Sequence, residues 1–486
     1  MPTHLHDIHI SDKGLTKALL PSQIASLAVI VVVCFMLFPL AEALSLICSL
    51  AVCYLASRCL LKLLDMKSPG SEFVFLAISL GGAILMTLNI WQWTYWGGGA
   101  MTDPILHADD SKYFNWALHY CDGSVALPKV EFPGYPALIW CLWKLFGVSF
   151  IWPMALNYLA LLVSIVLAGG IAVRLLDGKV SLGRNAVACM AMALTATQFY
   201  FLSQGIRLQK EALIYLSVAL VAYAMAGLAH TKTSFRWADV LLFLFGAALM
   251  AVMRTTWMYF ILLAVLFIFA GKQWRTNKGK VAVIVFTTLL FFVIGSLYAR
   301  NPATYSHPAI ISGGEVMQEQ FVRGNSQGLY KSLLGNYFFA PLWQRIAMLP
   351  VTAAVQFIIP FPWLPDGEPV MVDTVLPRIN IVWYVVGMLS LFYYIFMAWR
   401  NTTSIGTWLF WPAVSYVIIA VLTAGSVSRY VLPFIPLFTV VAIYTVFCAK
   451  TPAMKLLLKW WCIAVFSLLA AALVLCFLLQ NGMLKL

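Results

Sequence analysis

Many apolar runs of similar length follow one another along this sequence, and they limit its possible folds more than any other feature. Their lengths are close to the roughly 20 residues that a helix needs to cross the hydrocarbon core of a bilayer. They do not alternate apolar and polar residues as the strands of a membrane barrel do. Because 62% of the residues are hydrophobic and only 10% are charged, we predict an all-α polytopic membrane protein.

The apolar runs predict about 13 transmembrane helices in one membrane domain, 1–486. The sequence has no evident internal repeat or low-complexity linker that would divide this domain. The expected spans are 22–38, 41–57, 72–96, 150–173, 186–203, 211–229, 238–253, 255–270, 281–298, 379–398, 405–424, 430–448 and 459–480. Segment 137–149 is too short to cross, and we expect an interfacial or re-entrant helix there. Segment 346–360 is ambiguous in the same way.

The basic residues predict the orientation of the chain. Loops rich in Lys and Arg, such as the one with Arg174, Lys179 and Arg184, fall on one side if the spans alternate, and the positive-inside rule makes that side cytoplasmic. The amino terminus is then cytoplasmic as well. This pattern accounts for the formal net charge of +13, so we expect no nucleic acid as a partner. Three long hydrophilic loops share the outer face: 97–136, 299–345 and 361–378.

Four basic residues depart from this pattern because they lie in tight turns on the expected outer face: Arg207, Lys210, Arg254 and Arg429. Ionisable groups at membrane depth are costly, and they usually pair, line a cavity or bind a ligand. One interpretation is a structural ion pair with Glu211, or side chains that extend to the interface. The other is a shared anionic ligand. A lipid phosphate or pyrophosphate fits, because guanidinium groups bind phosphate oxygens bidentately.

Two adjacent acids, Asp109 and Asp110, open a segment of the first outer loop in which Tyr113, Trp116 and Tyr120 recur at helical spacing. Helix capping explains one carboxylate at such a position, but not a second one beside a basic cavity. A carboxylate can also take the proton from an acceptor hydroxyl as its oxygen attacks an activated carbon, while Arg and Lys stabilise the departing phosphate. We therefore predict Asp109 as the catalytic base, assisted by Asp110.

Four further side chains are expected to contact the substrate: Tyr113, Tyr135, Glu315 and Trp363. Tyr135 lies in a loop with proline and glycine and could stack on a sugar, although a rigid turn explains the same residues. Glu315 belongs to a long loop with the polar and aromatic mixture of a carbohydrate site. Trp363 could cover a sugar or anchor the chain at the interface.

The first outer loop also contains a short sequence pattern. An acid pair is followed by a tyrosine in DDSKY (Asp109 to Tyr113) and by Ala117, and FPGYP (Phe132 to Pro136) leads into a segment that ends in KLFG (Lys144 to Gly147). This pattern resembles the amino-terminal part of GT-C glycosyltransferases, particularly the bacterial branch related to protein O-mannosyltransferases and the aminoarabinose transferase of lipid A. The resemblance covers mainly 72–173. Where this chain has FPGYP, several relatives have a histidine or lysine with paired prolines. The resemblance therefore does not identify the acceptor of this chain.

The resemblance implies a GT-C-like fold with amphipathic outer-face helices and a sugar donor carried on polyprenyl phosphate. It implies an inverting transfer, with Asp109 as the base, to a glycan, lipid or protein acceptor at the outer face of a bacterial cytoplasmic (inner) membrane, whose lipids are further partners. In that family the second acid, here Asp110, helps to bind the acceptor or a metal. The resemblance therefore does not decide whether a divalent cation is a cofactor. The residues themselves predict no metal site, because two adjacent acids are too few and the ten cysteines lack metal-ligand spacing.

Two other functions stay open. An O-antigen polymerase or ligase would also use outer-face arginines, but it would move a glycan carried on a pyrophosphate lipid. A lipid-linked oligosaccharide flippase or another transporter predicts charged residues near mid-span and pseudo-symmetric halves. The polar residues of this chain collect on one face instead, so the transporter ranks last.

Overall fold

The computed structural model describes most of the amino-terminal half of the chain and two helices near its carboxyl end. The described residues are 12–106, 108–123, 134–176, 179–180, 182–227, 237–254, 257–270, 407–424 and 431–448, with a few isolated positions elsewhere. Throughout these residues the regular structure is helical, as predicted. The expected spans 281–298, 379–398 and 459–480 and segment 346–360 lie almost entirely outside the described residues.

The helices in the described ranges follow the predicted apolar runs closely. They are α1 (Asp12–Leu37), α2 (Leu40–Leu63), α3 (Pro69–Trp91) with a π-helical turn (Gln92–Trp96), α4 (Ala108–Asp122), α5 (Gly134–Phe146), α6 (Ile151–Leu176), α7 (Arg184–Ala196), α8 (Phe199–Gly205), α9 (Glu211–Ala226), α10 (Trp237–Met253), α11 (Met258–Ala270), α12 (Thr407–Ala424) and α13 (Ile435–Cys448), the last preceded by a 3-10 turn (Leu432–Phe434).

The number of clear membrane spans is smaller than the predicted 13. Within the described residues, four helices are long and apolar enough to cross a bilayer, namely α1, α2, α3 with its π-helical turn, and α6, or up to five spans if the bent pair α7 and α8 is one. Helices α9 to α13 are apolar but shorter. The helical membrane character is therefore confirmed, whereas the full set of spans stays a prediction.

One expected span, 186–203, is two helices in the structure. The axes of α7 and α8 differ in direction by 71°. The break occurs because the side-chain oxygen of Gln198 accepts hydrogen bonds from the backbone N–H groups of Tyr200 and Phe201, so that a new helix begins at Phe199. The sequence predicted a span over these residues but not the bend within it. The bend directs the chain into a short irregular segment, 206–210, before α9 begins.

Helix α6 is the centre of the bundle. Nearly all of its side chains are buried, and it contacts α2, α3, α5, α7, α8, α9 and α13. Small residues permit these close contacts: a Cβ at Gly170 would lie 2.8 Å from the Tyr223 ring on α9, and one at Gly205 on α8 would lie 2.7 Å from Leu161. In contrast, α1 is almost entirely exposed on the bundle surface, as suits a lipid-facing helix.

Two partly buried ion pairs lie at one end of the bundle. Arg58 and Glu72 join the end of α2 to the start of α3 at 2.6 Å. Arg174 and Asp239 join the end of α6 to the start of α10 at 2.8 Å, and the Arg174 guanidinium also lies 3.6 Å from the centre of the Tyr223 ring. These contacts fit the alternating path that the sequence predicts for α2, α3, α6 and α10. We call the opposite end, where α3 finishes and α6 begins, the α4 end.

An aromatic cluster attaches the carboxyl-terminal helices to this bundle. The Trp257 ring stacks on Tyr416 of α12 at a centroid distance of 4.7 Å and lies 5.6 Å from Phe434. Helix α13 packs on α6 and α7, and the hydroxyl groups of Thr195 and Thr439 are 3.2 Å apart. Residues far apart in the sequence therefore belong to the same core as α6.

Candidate active site

Helices α4 and α5 cover the α4 end of the bundle. The loop before α4 is fastened to the start of α6, because the N–H of Phe150 donates to the carbonyl oxygen of Met101 at 2.8 Å. Phe114 on the inner face of α4 packs edge-on against Trp143 of α5, with ring centroids 4.9 Å apart. The structure thus contains both short helices that the sequence predicts in and after the first hydrophilic loop.

Asp110 lies in the first turn of α4 and is only 8% exposed. Its Oδ2 atom accepts a hydrogen bond from the side-chain Nε2 of Gln209 at 2.9 Å, and the carboxylate also accepts from the backbone N–H of Leu208. Both donors belong to segment 206–210. A capping carboxylate binds N–H groups of its own helix, so capping alone does not explain these contacts. The carboxylate of Asp110 therefore links α4 to segment 206–210.

Burial raises the pKa of Asp110 to about 6, because desolvation of the carboxylate outweighs the Gln209 hydrogen bond and the positive charge of Arg207, which both lower it. The negative charge of Glu211 adds to the increase. Asp110 thus changes its charge near physiological pH. Carboxyl groups with such pKa values are common among general acids and bases.

Asn157, on the first turns of α6, holds segment 206–210 in place. Its side chain is fully buried. The amide nitrogen donates to the carbonyl oxygen of Arg207, to that of Gln209 at 2.9 Å and to the hydroxyl of Tyr135 at 2.7 Å. An amide nitrogen has two hydrogens, so the three oxygens share them. One buried side chain therefore ties the segment to both α6 and α5.

Lys210 ends this segment and is 3% exposed. Its ammonium lies 5.5 Å from the centre of the Tyr113 ring, within the range of a cation–π interaction. The Tyr113 ring meets the Tyr135 ring edge-on at 5.2 Å. Glu211 follows at the start of α9 and is 6% exposed. Charges of both signs are consequently enclosed beneath α4 and α5.

Five predicted site residues come together at this position: Asp110, Tyr113, Tyr135, Arg207 and Lys210. Tyr113, which we expected to contact the substrate, and Tyr135, which we expected to stack on a sugar, both face the interior of the bundle. Their rings are 3% and 0% exposed, because they lie on the inner faces of α4 and α5, and they pack on each other. Here they support Lys210 and Asn157 rather than present a face to a sugar.

Arg254 follows directly after α10, at the same end of the bundle. Helix α10 reaches α5 closely, since a Cβ at Gly134 would overlap the carbonyl group of Val252. The side chain of Asp109 and all of Arg429, Glu315 and Trp363 lie outside the described residues. The predicted roles of these four residues stay predictions.

Sequence reasoning missed two residues of this cluster, Asn157 and Gln209. The sequence around Asn157 does indicate its role, because Asn157 is an amide inside an apolar run. A buried amide must find hydrogen-bond partners. Gln209 carries no such signal, because a neutral side chain in a polar turn is ordinary. Its role depends on a contact with α4 that spacing along the chain does not reveal.

Among the described residues, no group of three or more His, Cys, Asp or Glu side chains is arranged to hold a metal ion. The chain matches no protein family, no curated protein and no solved structure. The chemistry of the site, together with the short resemblance in the first hydrophilic loop, is therefore the basis for inferring a function.

Proposed function

We propose that this protein is an inverting glycosyltransferase of the GT-C type. It transfers a sugar from a polyprenyl-phosphate donor to a glycan, lipid or protein acceptor at the outer face of a bacterial cytoplasmic membrane. One observation carries the proposal: Asp110 in the first turn of α4 is hydrogen-bonded to segment 206–210, which also carries Arg207 and Lys210. An acid for the acceptor and cations for the donor phosphate therefore share one site.

The reaction uses the two kinds of charge in different ways. Asp109 takes the proton from the acceptor hydroxyl as that oxygen attacks the anomeric carbon on the face opposite the phosphate. The bond between the anomeric carbon and the phosphate oxygen breaks, and the phosphate leaves with the electron pair. Arg207 and Lys210 stabilise its charge, and Arg254 and Arg429 complete the phosphate site. Ionised Asp110, held by Gln209, orients the acceptor hydroxyl.

The depth of the site supports a lipid-linked donor. Helix α9 runs from this cluster to the Arg174–Asp239 pair at the opposite end of the bundle, where Gly227 lies against both side chains. It has 16 residues, or about 24 Å at the usual helical rise, which is less than the about 30 Å of the hydrocarbon core. If α9 crosses the bilayer, a site at its first residue lies near the level of a lipid phosphate rather than out in the solvent.

The test is an assay of the purified full-length chain in lipid nanodiscs. Sugars linked to polyprenyl monophosphate and to polyprenyl pyrophosphate are supplied as separate donors. The proposal predicts release of polyprenyl phosphate together with inversion at the anomeric carbon, and only from the monophosphate donors. Turnover of pyrophosphate donors alone would point to an O-antigen polymerase or ligase. In proteoliposomes, movement of the donor across the bilayer without bond cleavage would point to a flippase.

A further inference from the structure

Asn157 occupies an unusual position for a polar side chain. It is fully buried on α6, the helix that most others contact. A buried amide is costly unless its groups are hydrogen-bonded, and here the nitrogen serves two different elements. It reaches α5 through the hydroxyl of Tyr135, and segment 206–210 through the carbonyl groups of Arg207 and Gln209.

The same short segment faces α4 with its other groups. The carbonyl oxygens of Arg207 and Gln209 point to α6, where Asn157 binds them. The N–H of Leu208 and the side chain of Gln209 point the other way, to the carboxylate of Asp110. Fixing the first set of groups therefore fixes the direction of the second set.

We propose that Asn157 is a positioning residue for the transfer reaction. By holding the backbone of segment 206–210, it aligns Gln209 with Asp110 and keeps Arg207 and Lys210 in place for the donor phosphate. This inference rests on the proposed function, but it concerns a residue that touches neither substrate nor acid directly. Its effect passes through the backbone of segment 206–210.

The chain offers a matched control on the same helix. Ser164 is also fully buried on α6, and its hydroxyl donates within the helix, to the carbonyl oxygen of Ala160 at 2.7 Å. Removing the Ser164 hydroxyl leaves segment 206–210 unchanged, whereas removing the Asn157 amide changes it. The packing of Gly205 against Leu161 keeps α8 on α6 without the Asn157 amide.

The experiment compares Asn157→Leu, Gln209→Ala, the double variant and Ser164→Ala, each as the full chain in nanodiscs. The pH dependence of sugar transfer is measured first. The Gln209 hydrogen bond lowers the pKa of Asp110, so its loss moves the acid limb of the rate profile to higher pH. Arg207 and Glu211, which also face Asp110, are unchanged in every variant.

We expect Asn157→Leu to lower kcat by ~10-fold or more and to shift the acid limb in the same direction as Gln209→Ala. The double variant should be no worse than the more affected single variant. Ser164→Ala should leave the limb unshifted. An unshifted limb in Asn157→Leu, or fully additive losses in the double variant, would overturn the proposal. If Asn157→Leu does not fold, Asn157→Ser, which retains one donor, carries the same test.

Hydrogen exchange followed by mass spectrometry provides a readout that needs no activity. Asn157→Leu should speed amide exchange in 206–210 and in the first turn of α4, while Ser164→Ala leaves both unchanged. Wild-type protein that transfers no sugar would contradict the proposed function but not this local ordering. Unchanged exchange in Asn157→Leu would contradict the role of Asn157 even in an active enzyme.

Discussion

The side-chain amide of Gln209 donates a 2.9 Å hydrogen bond to the carboxylate of Asp110, although 99 positions separate the two residues in the chain. This contact joins the first turn of α4 to the turn before α9. It places an acid of the first hydrophilic loop within the same buried cluster as Arg207 and Lys210. The proposed chemistry requires carboxylates close to the cations that bind the donor phosphate.

The rate of sugar transfer should fall as the pH decreases through about 6, which is the pKa of Asp110. The ionised carboxylate is the active form in our account, so protonation removes activity. The measurement is kcat/KM for the monophosphate donor between about pH 5 and about pH 8. A rate that stays constant down to about pH 5 would show that Asp110 need not be ionised.

Asp110→Asn should stabilise the fold at alkaline pH. Burial raises the pKa of Asp110 from 3.8 to about 6, so the folded state binds this proton more tightly than the unfolded state does. The free energy of unfolding then decreases as the pH rises from about 4 to about 6, and it stays lower above that window. Asparagine does not ionise, so the variant does not lose this part of its unfolding free energy as the pH rises. It should unfold at a higher temperature than wild type near pH 8 and at a similar one near pH 4.

A control for this stability measurement lies at the other end of the same helix. The side chain of Asp122 is 57% exposed and lies 3.8 Å from His119, so Asp122→Asn removes an equal charge that is not buried. Asp122→Asn should give no gain in unfolding temperature near pH 8 comparable to that of Asp110→Asn. An equal gain in both variants at about pH 8 would assign the effect to net charge rather than to burial of Asp110.

Asp109→Asn should reduce sugar transfer by ~10² to 10⁴-fold, as expected for loss of a general base. Binding of the polyprenyl-phosphate donor should be retained, because the cations that hold it are unchanged. Asp122→Asn, on the same helix α4, is the matched control and should retain activity. Full activity of Asp109→Asn would reject the assignment of Asp109 as the base.

Lys210→Met should weaken donor binding by ~10-fold or more, since it removes a buried charge that pairs with phosphate. The methionine side chain retains the packing against Tyr113. Arg184→Gln is the control, because Arg184 is exposed and lies at the opposite end of the bundle. The measurement is KM for the monophosphate donor. An equal change in this KM for both variants would mean that the effect reflects overall charge and not a phosphate site.

Much of the helical layout could be predicted from the sequence. The run predicted as 150–173 is α6, Ile151–Leu176, because length and apolar content are local properties that determine a membrane helix. The break at Gln198 was not predicted. Its cause is the side-chain oxygen of Gln198, which accepts hydrogen bonds from the backbone N–H groups of Tyr200 and Phe201. The apolar pattern on both sides of the break is unaffected.

The charged members of the candidate site were the easiest to predict. Asp110, Arg207 and Lys210 are conspicuous because charges are rare in such a chain and costly at membrane depth. Asn157 and Gln209 are neutral, and their importance lies in contacts with residues far away in the sequence. The inward direction of Tyr135 likewise depends on how α5 packs on α6, which its sequence neighbours do not specify.

The central claim is that segment 206–210 holds the phosphate of a lipid carrier beside the acids of α4. The most direct measurement is a cryo-EM structure of the full chain in nanodiscs with polyprenyl phosphate bound. We predict phosphate oxygens within about 3 Å of the Arg207 and Lys210 side chains, on the side of the segment that faces α4. A phosphate bound at the opposite end of the bundle, beside Arg174, would contradict the account.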